Sequence, residues 1–401
     1  MQPRSSLIVG ALLTALVALG QISTSIYIPS LPAIVADLAA TQAQVNLTLS
    51  GFLAGFAVCQ LAFGPLSDRW GRRPTLIAGL SLYLVASLWC VLAPSIGMLI
   101  AGRVLQGMAA CVGPVLGRAI VRDIYGPDGT ARAMAMISAA LAVSPAVAPI
   151  IGGYLEIWFG WRSTFIFLTG VGVLILAATL WLLSETRPLR RHGHPGSSGL
   201  LPAARQLLGD RCYLGYTIAV ACIFAGLMAF AAAGPFIFIE VIGLAPQHYG
   251  MLAVFTVAGY LAGTLLAGRL SERMPLHRLV LLGLIGTLAG AVLTAALAAV
   301  MEPSVAAVVA PMALFTAGLG IVLPVGIAAA MAPFPLIAGS ASALLGFVQM
   351  LVAAFASLVV GVLPHTSALP MGLVILVCTL FALLAFILLV PRQPGPDRQA
   401  A

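Results

Sequence analysis

The sequence contains no lysine, and charge of either sign is scarce: 7% of its 401 residues are charged. A soluble domain carries about 25% charged residues and is about 45–50% apolar. Here the hydrophobic share is 61%, which excludes a soluble core and implies a polytopic helical membrane protein. The nineteen basic residues are all arginine and the net charge is +8. They are scattered through short loops rather than clustered, which excludes a nucleic-acid surface and fits orientation by loop charge. The six cysteines (Cys59, Cys90, Cys111, Cys212, Cys222, Cys378) form no CxxC or metal spacing and read as small buried apolar residues. His192 and His194 stand in a Gly/Pro/Ser-rich loop without a cysteine partner, so no metal and no cofactor is assigned. Clustered His, Asp or Glu at membrane depth is missing too, which argues against an intramembrane enzyme. The longest loop, 184–211, has 28 residues. That is too short for the soluble domain expected of a non-transporting receptor.

What is present is a series of apolar runs: 7–28, 46–66, 74–93, 97–119, 132–154, 163–183, 213–238, 248–268, 277–300, 304–329, 338–361 and 369–390. At about 1.5 Å per residue each is long enough for about 30 Å of hydrocarbon. The first is read as a retained span, ended by Pro29 and Pro32, because no small-residue cleavage site follows it. Loop charges test the count. Twelve spans from a cytoplasmic N-terminus put Arg69, Arg72, Arg73, Arg122, Arg132, Arg187, Arg190, Arg191, Arg205, Arg211, Arg269, Arg273, Arg278, Arg392 and Arg398 inside. The outside loops keep Asp37, Glu156, Glu240 and Glu302, with Arg162 the exception. The expected organisation is an all-α membrane protein of two pseudo-symmetric six-helix bundles, 1–183 and 212–391. They are joined by a cytoplasmic linker, 184–211, and followed by a cytoplasmic tail, 392–401. The linker's apolar patch, 200–208, is expected to form an amphipathic helix on the membrane surface.

The chain is organised around Gly64-Pro-Leu-Ser-Asp68-Arg69-Trp-Gly71-Arg72-Arg73, read as a tight charged turn between the second and third spans. A weaker copy, Gly268-Arg-Leu-Ser-Glu272-Arg273, follows the eighth span, and Asp68 and Glu272 are 204 residues apart. An offset of half the chain marks an internal repeat. Asp68 can pair with Arg72 near Asp123, or face a helix N-terminus of the other half. Such a cluster of Gly64, Asp68, Arg69, Gly71, Arg72, Arg73, Asp123 and Glu272 would be a conformational latch that breaks when the halves rock. The alternative is that these arginines only set topology.

Several motifs carry a resemblance. Gly64–Arg73 matches a loop 2–3 pattern, Arg103-Val-Leu-Gln106-Gly107 a fourth-span pattern, and Pro145, Pro149, Gly152 and Gly153 a fifth-span antiporter pattern. Ile26-Tyr27-Ile28-Pro29, Arg118-Ala-Ile-Val-Arg122-Asp123, Gly160-Trp161-Arg162 and Ser184-Glu185-Thr186 agree with them. On these residues the chain resembles the major facilitator superfamily, and within it the Bcr/CflA branch of twelve-span multidrug efflux antiporters. The resemblance implies drug:proton antiport by rocking-bundle alternating access in a bacterial inner membrane. Its partners would be a small-molecule substrate, protons and the bilayer, with no nucleic acid, and the protein would act as a monomer. It also places Arg103 in a central cavity and ties it to proton transfer.

On the residues alone, a charge at the depth of Arg103 costs on the order of 3 kcal/mol and marks a pathway or a paired site, unless the side chain snorkels to the headgroups. The fifth-span prolines and glycines are expected to bend that helix and admit a close neighbour. Many members of the branch carry an acid where this chain has Ser25, and no Asp or Glu lies deep in any run. Coupling then passes through an acid near a helix end (Asp37, Asp123 or Glu240), or the protein exchanges substrates, or it runs downhill. The cavity is expected to be apolar, aromatic and sparsely polar, lined by Gln21, Tyr27, Asn46, Gln60, Arg103, Gln106, Phe230, Phe236, Tyr260, Phe315 and Gln349. Arg103 as its one charge points to neutral or anionic amphipathic substrates, phenicol-like antibiotics among them. The alternative function is transport of an endogenous metabolite such as an amino acid or sugar.

Overall fold

The computed structural model describes residues 3–186, 200–364 and 367–391. His192, His194, residues 187–199 of the 184–211 linker and the 392–401 tail lie outside the described residues. Twelve described helices are long and apolar enough to cross a membrane. The α-helices in chain order are α1 (Pro3–Ser25), α2 (Leu31–Asp37), α3 (Gln42–Trp70), α4 (Arg72–Val91), α5 (Ile96–Ala110), α6 (Val112–Phe159), α7 (Arg162–Leu182), α8 (Leu200–Leu208), α9 (Arg211–Pro235), α10 (Pro246–Ser271), α11 (Leu276–Val300), α12 (Val305–Met331), α13 (Ala338–Val362) and α14 (Leu369–Leu389).

Local chemistry sets the helix starts. Thr41 and Gln44 close a capping box at α3. The hydroxyls of Ser95 and Ser304 and the carboxylate of Asp210 cap α5, α12 and α9. Pro29 and Pro32 interrupt the first span without ending it. Each sits in the first turn of a new helical piece, where a missing N–H costs nothing, and the span carries on to Asp37. The Gly64–Arg73 stretch is also less of a turn than its composition suggests. Gly64–Trp70 finishes α3 and Arg72 opens α4, so Gly71 alone is non-helical.

Backbone proximity groups the chain into two compact units, Met1–Arg190 with Phe238–Val254, and Arg191–Ile237 with Phe255–Ala401. In the first unit α3 and α5 approach through small residues. A Cβ at Gly107 would collide with the Phe52 carbonyl, and Gly51 and Gly55 face Val104. This is the small-residue packing by which membrane helices gain van der Waals contact. The helical backbone runs from Val112 to Phe159 without interruption, yet it cannot be straight. Gly113 lies against Leu16 of α1, Tyr125 against Gly10, and Gly152 against Ile26. The chain therefore descends along α1 to Tyr125 and climbs back, so that one helical run completes the fourth span, begun by α5, and makes the fifth.

In the second unit α9 packs against α13 and α14. Tyr213 donates to the Ala341 carbonyl (2.7 Å), and Tyr216 meets Phe386 edge-on. α9 widens into a π-turn over Phe236–Val241. The expected amphipathic helix is present as α8, but its apolar face is covered by protein: Ala203 and Leu207 are buried, and the helix packs on α13 and α9.

Candidate functional site

Arg103 stands two turns into α5 and is fully buried, the one charged residue among the described residues that is. It does not snorkel. Its Nη1 donates to the Ser23 carbonyl (3.2 Å) and to Gln106 Oε1. The guanidinium carbon lies 4.1 Å from the Tyr27 ring centre, 4.3 Å from Phe52 and 5.7 Å from Phe165. A polar chain leads away from it. Gln106 Nε2 donates to Ser87 Oγ (2.8 Å), which donates to the Tyr83 carbonyl (2.8 Å). Ser23 Oγ donates to Leu19 (2.6 Å), so the Tyr83 hydroxyl, 2.7 Å from it, is the donor of that pair. By the same reasoning Thr48 Oγ1 gives its proton to Val45 (2.6 Å) and accepts from Tyr27 (3.3 Å).

The cluster is under-satisfied. No carboxylate pairs with Arg103 among the described residues. Its Nε and Nη2 are buried without a partner; elsewhere on α3, both amide atoms of Asn46 and Gln60 Oε1 are unpartnered too. Desolvated aromatic faces return about 2 kcal/mol each to a cation, but a buried donor left unpaired costs about 1–3 kcal/mol, more if charged. The site therefore attracts an acceptor or an anion and repels a cation.

Ser25, at the position of the family's first-span acid, is buried, and among the described residues its side chain receives only a long 3.5 Å contact from Gln21 Nε2. Of the other expected lining residues, Tyr27 and Asn46 are fully buried, and Gln60 and Gln349 nearly so. In the second unit Phe236 is fully buried and Phe230 is 9% exposed. Phe315 lays its ring on Gly226 and its backbone on Gly290, and the Tyr260 carbonyl sits against Gly320. Both serve helix packing there.

The α3–α4 junction gathers a second cluster. Arg72 pairs with Asp68 (2.7 Å) and Asp123 (3.2 Å) and bonds Ser67 Oγ. Glu185 accepts from the backbone N–H of Arg72 (2.9 Å) and Arg73 (3.2 Å), an anion at a helix N-terminus. Arg73 Nη2 reaches the Leu180 carbonyl at 2.9 Å. Gly71 is required twice over: its φ is +103°, and a Cβ there would lie 2.5 Å from Glu185 Oε2. Arg69 is exposed, and nothing lies within 4 Å of where a Gly64 Cβ would be. Glu272 is exposed and makes no ion pair among the described residues.

Along the fifth span, Pro145 and Pro149 stay within the helical run. Gly152 takes the Ile26 carbonyl against its backbone, Gly153 takes Pro246 and Gln247, and the Pro149 carbonyl meets Gly250. Arg162, the basic exception among the loops expected outside, is accounted for by its neighbours. It pairs with Asp37 (2.7 Å), bonds the Ala93 carbonyl (3.1 Å) and stacks on Trp161, which itself donates to Asp37 (3.0 Å).

Sequence reasoning missed Ser23, Thr48, Phe52, Tyr83, Ser87, Phe165 and the capping role of Glu185. Tyr83 and Ser87 left a signal, as two polar side chains four residues apart on one face of an apolar helix. Phe165 left none.

Comparison with known proteins gives one consistent family. Residues 13–245 match the family described as Major Facilitator Superfamily. The chain is 32% identical to the uncharacterized MFS-type transporter YdgK of Bacillus subtilis, with 96% of each chain covered. It is 30% identical to Multidrug resistance protein D of Escherichia coli, with 95% of each covered. It is similar in fold to an inward-facing, unoccupied bacterial homolog of the human lysosomal transporter Spinster (TM-score 0.77, 16% identity, 99% of this chain and 100% of that one). It is likewise similar to a D-xylose-proton symporter (TM-score 0.77, 14% identity, 98% and 99%).

Proposed function

The chain belongs to the Major Facilitator Superfamily, and we propose that within it this multi-pass membrane transporter exports small amphipathic compounds, neutral or anionic, in exchange for protons. The full-length relative named as a multidrug resistance protein supports export of drugs. The observation that carries the charge preference is Arg103: fully buried, walled by Tyr27 and Phe52, with Nε and Nη2 unpartnered. A substrate carbonyl, nitro or carboxylate group can accept from those nitrogens while its apolar body lies on the aromatic rings.

The proposed cycle is alternating access between the halves 1–183 and 212–391, with both termini on the cytoplasmic side of a bacterial inner membrane. In it the Arg72–Asp68–Asp123–Glu185 cluster is the latch that holds one arrangement and opens when the halves rock. The fifth span, with Pro145 and Pro149 each removing one backbone hydrogen bond, supplies compliance. The protein is proposed to work as a monomer.

The test is efflux in inverted vesicles with a panel of one neutral drug (chloramphenicol), one monocarboxylate (nalidixate) and one cation (ethidium), for wild type and Arg103→Ala. Export of the first two is expected to fall about 10–100-fold in the variant, the worth of one charged hydrogen bond. Ethidium export that survives Arg103→Ala undiminished would overturn the charge preference.

A further inference from the structure

We propose that Glu156 is the carboxyl that takes up and releases the coupling proton, with Ser30 as its partner in both charge states; this rests on the proton-coupled reading above. Glu156 lies near the end of α6, three and four residues after Gly153 and Gly152 and so on the same face as both. That face is where the first span meets the fifth, at the Ile26 carbonyl, and where the start of α10 meets it, at Pro246 and Gln247. Four residues beyond Ile26 is Ser30, whose hydroxyl is close to the Glu156 carboxyl without forming a hydrogen bond to it.

Neither group is settled. Glu156 Oε2 and Ser30 Oγ are buried without a hydrogen-bond partner, and so is Gln247 Oε1. Burying an unmet polar atom is costly, so the pair is poised for a proton rather than built for stability. Ionised, the carboxylate needs a donor, which the Ser30 hydroxyl becomes on rotation. Protonated, the carboxyl donates to the Ser30 oxygen or to Gln247 Oε1. One pair of side chains thus accommodates both states without a cation.

The competing acids are committed. Asp37 is held by Arg162 and Trp161, Asp123 by Arg72, and Glu240 by Gln42 Nε2 (2.8 Å). No arginine lies within ion-pairing distance of Glu156 among the described residues. The charged or titratable residues at the facing ends of the elements packed against it are Tyr27 (buried), Asp37 with Arg162, Glu240, and, at the start of α10, exposed His248 and buried Tyr249. The acid missing at Ser25 is therefore supplied by the adjacent span, at the same interface.

The experiment reconstitutes wild type, Glu156→Gln and Glu156→Asp in proteoliposomes, with the panel drug that the wild type exports. It reads ΔpH-driven accumulation, drug-induced proton release and drug counterflow at fixed pH. Glu156→Gln is expected to lose about 100-fold of the driven accumulation. Its counterflow should stay within about two-fold, and Glu156→Asp should restore part of the driven signal. A wild type without ΔpH-driven transport defeats proton coupling itself and this assignment with it. A coupled wild type beside an equally coupled Glu156→Gln defeats the assignment alone, and so does a variant that loses counterflow as completely as accumulation. If Glu156→Gln does not fold, Ser30→Ala decides. A pH profile of efflux displaced by about half a unit upholds the pair, and an unmoved profile overturns it.

Discussion

Gly64–Arg73 and Gly268–Arg273 share one turn and put it to different use. In each, a serine hydroxyl donates to the glycine carbonyl three residues back, Ser67 to Gly64 (2.8 Å) and Ser271 to Gly268 (2.7 Å). Past that point the copies part. At the offset of 204, Gly71 corresponds to Pro275, Arg72 to Leu276 and Arg73 to His277. The φ of +103° at Gly71 aims the next two N–H groups at Glu185. Pro275 instead sits at φ −67° without a side-chain cap, and Leu276 lacks the guanidinium that Arg72 gives to Asp68 and Asp123. The fourth and tenth spans repeat the lesson. Both helices start at a serine cap, Ser95 and Ser304. Counted from those caps, the position of Arg103 is taken by Met312 and that of Gln106 by Phe315, both fully buried. The repeat preserves where helices begin, which depends on a few capping groups. Buried charge, which is expensive, is kept in one copy only.

The sharpest way to press this comparison is through helix spacing. Gly107→Ala drives a methyl group into the Phe52 carbonyl and separates α3 from α5, with a cost of about 3 kcal/mol. The position matching Gly107 in the second half is Thr316, which already carries a side chain. Thr316→Ala is expected to cost about 1 kcal/mol or less. Thermal unfolding of the purified proteins in detergent checks both. Equal losses would mean that the halves pack alike and that the tight α3–α5 approach does not serve to place Phe52 on Arg103.

This spacing also shows how far the sequence could be read. Twelve spans, their order and the charged junction were legible because hydrocarbon thickness and the cost of charge in it leave few alternatives. Arg103 and Gln106 were legible for the same reason. Their surroundings were not. Which ring faces the guanidinium depends on backbone approach at Gly55 and Gly107, a property of two helices together. The descent and return of α6 depended on α1 in the same way. Glu156 reads as an acid of an outside loop, because nothing in an apolar run ending at residue 154 shows that the helix continues to Phe159 and buries a carboxyl oxygen on the face of Gly152 and Gly153.

A smaller effect separates the two acids of the repeat. Arg72→Ala removes the partner of Asp68 and Asp123 and leaves Asp123, 14% exposed, without its cation. The expected loss is about 2 kcal/mol. Glu272→Gln, in the exposed copy, is expected to change stability by less than about 0.5 kcal/mol. Efflux measured alongside should fall for Arg72→Ala and hold for Glu272→Gln. A fall for both would place Glu272 in the latch on equal terms with Asp68.

The smallest expected effect concerns the glycines that open the two copies. A Cβ at Gly64 or at Gly268 meets nothing within 4 Å, and both residues lie in helices. Alanine at either should therefore raise stability slightly, by up to about 1 kcal/mol, through backbone entropy alone. If Gly64 belongs to the latch, another segment must approach it at some stage of the cycle, and the added methyl group would then obstruct that stage. The expected result is a raised unfolding midpoint for both variants, with slowed efflux for Gly64→Ala only. Efflux unchanged in Gly64→Ala would confine the latch to Asp68, Arg72, Asp123 and Glu185. Efflux slowed equally in Gly268→Ala would restore to the second copy the role that its missing ion pairs argue against.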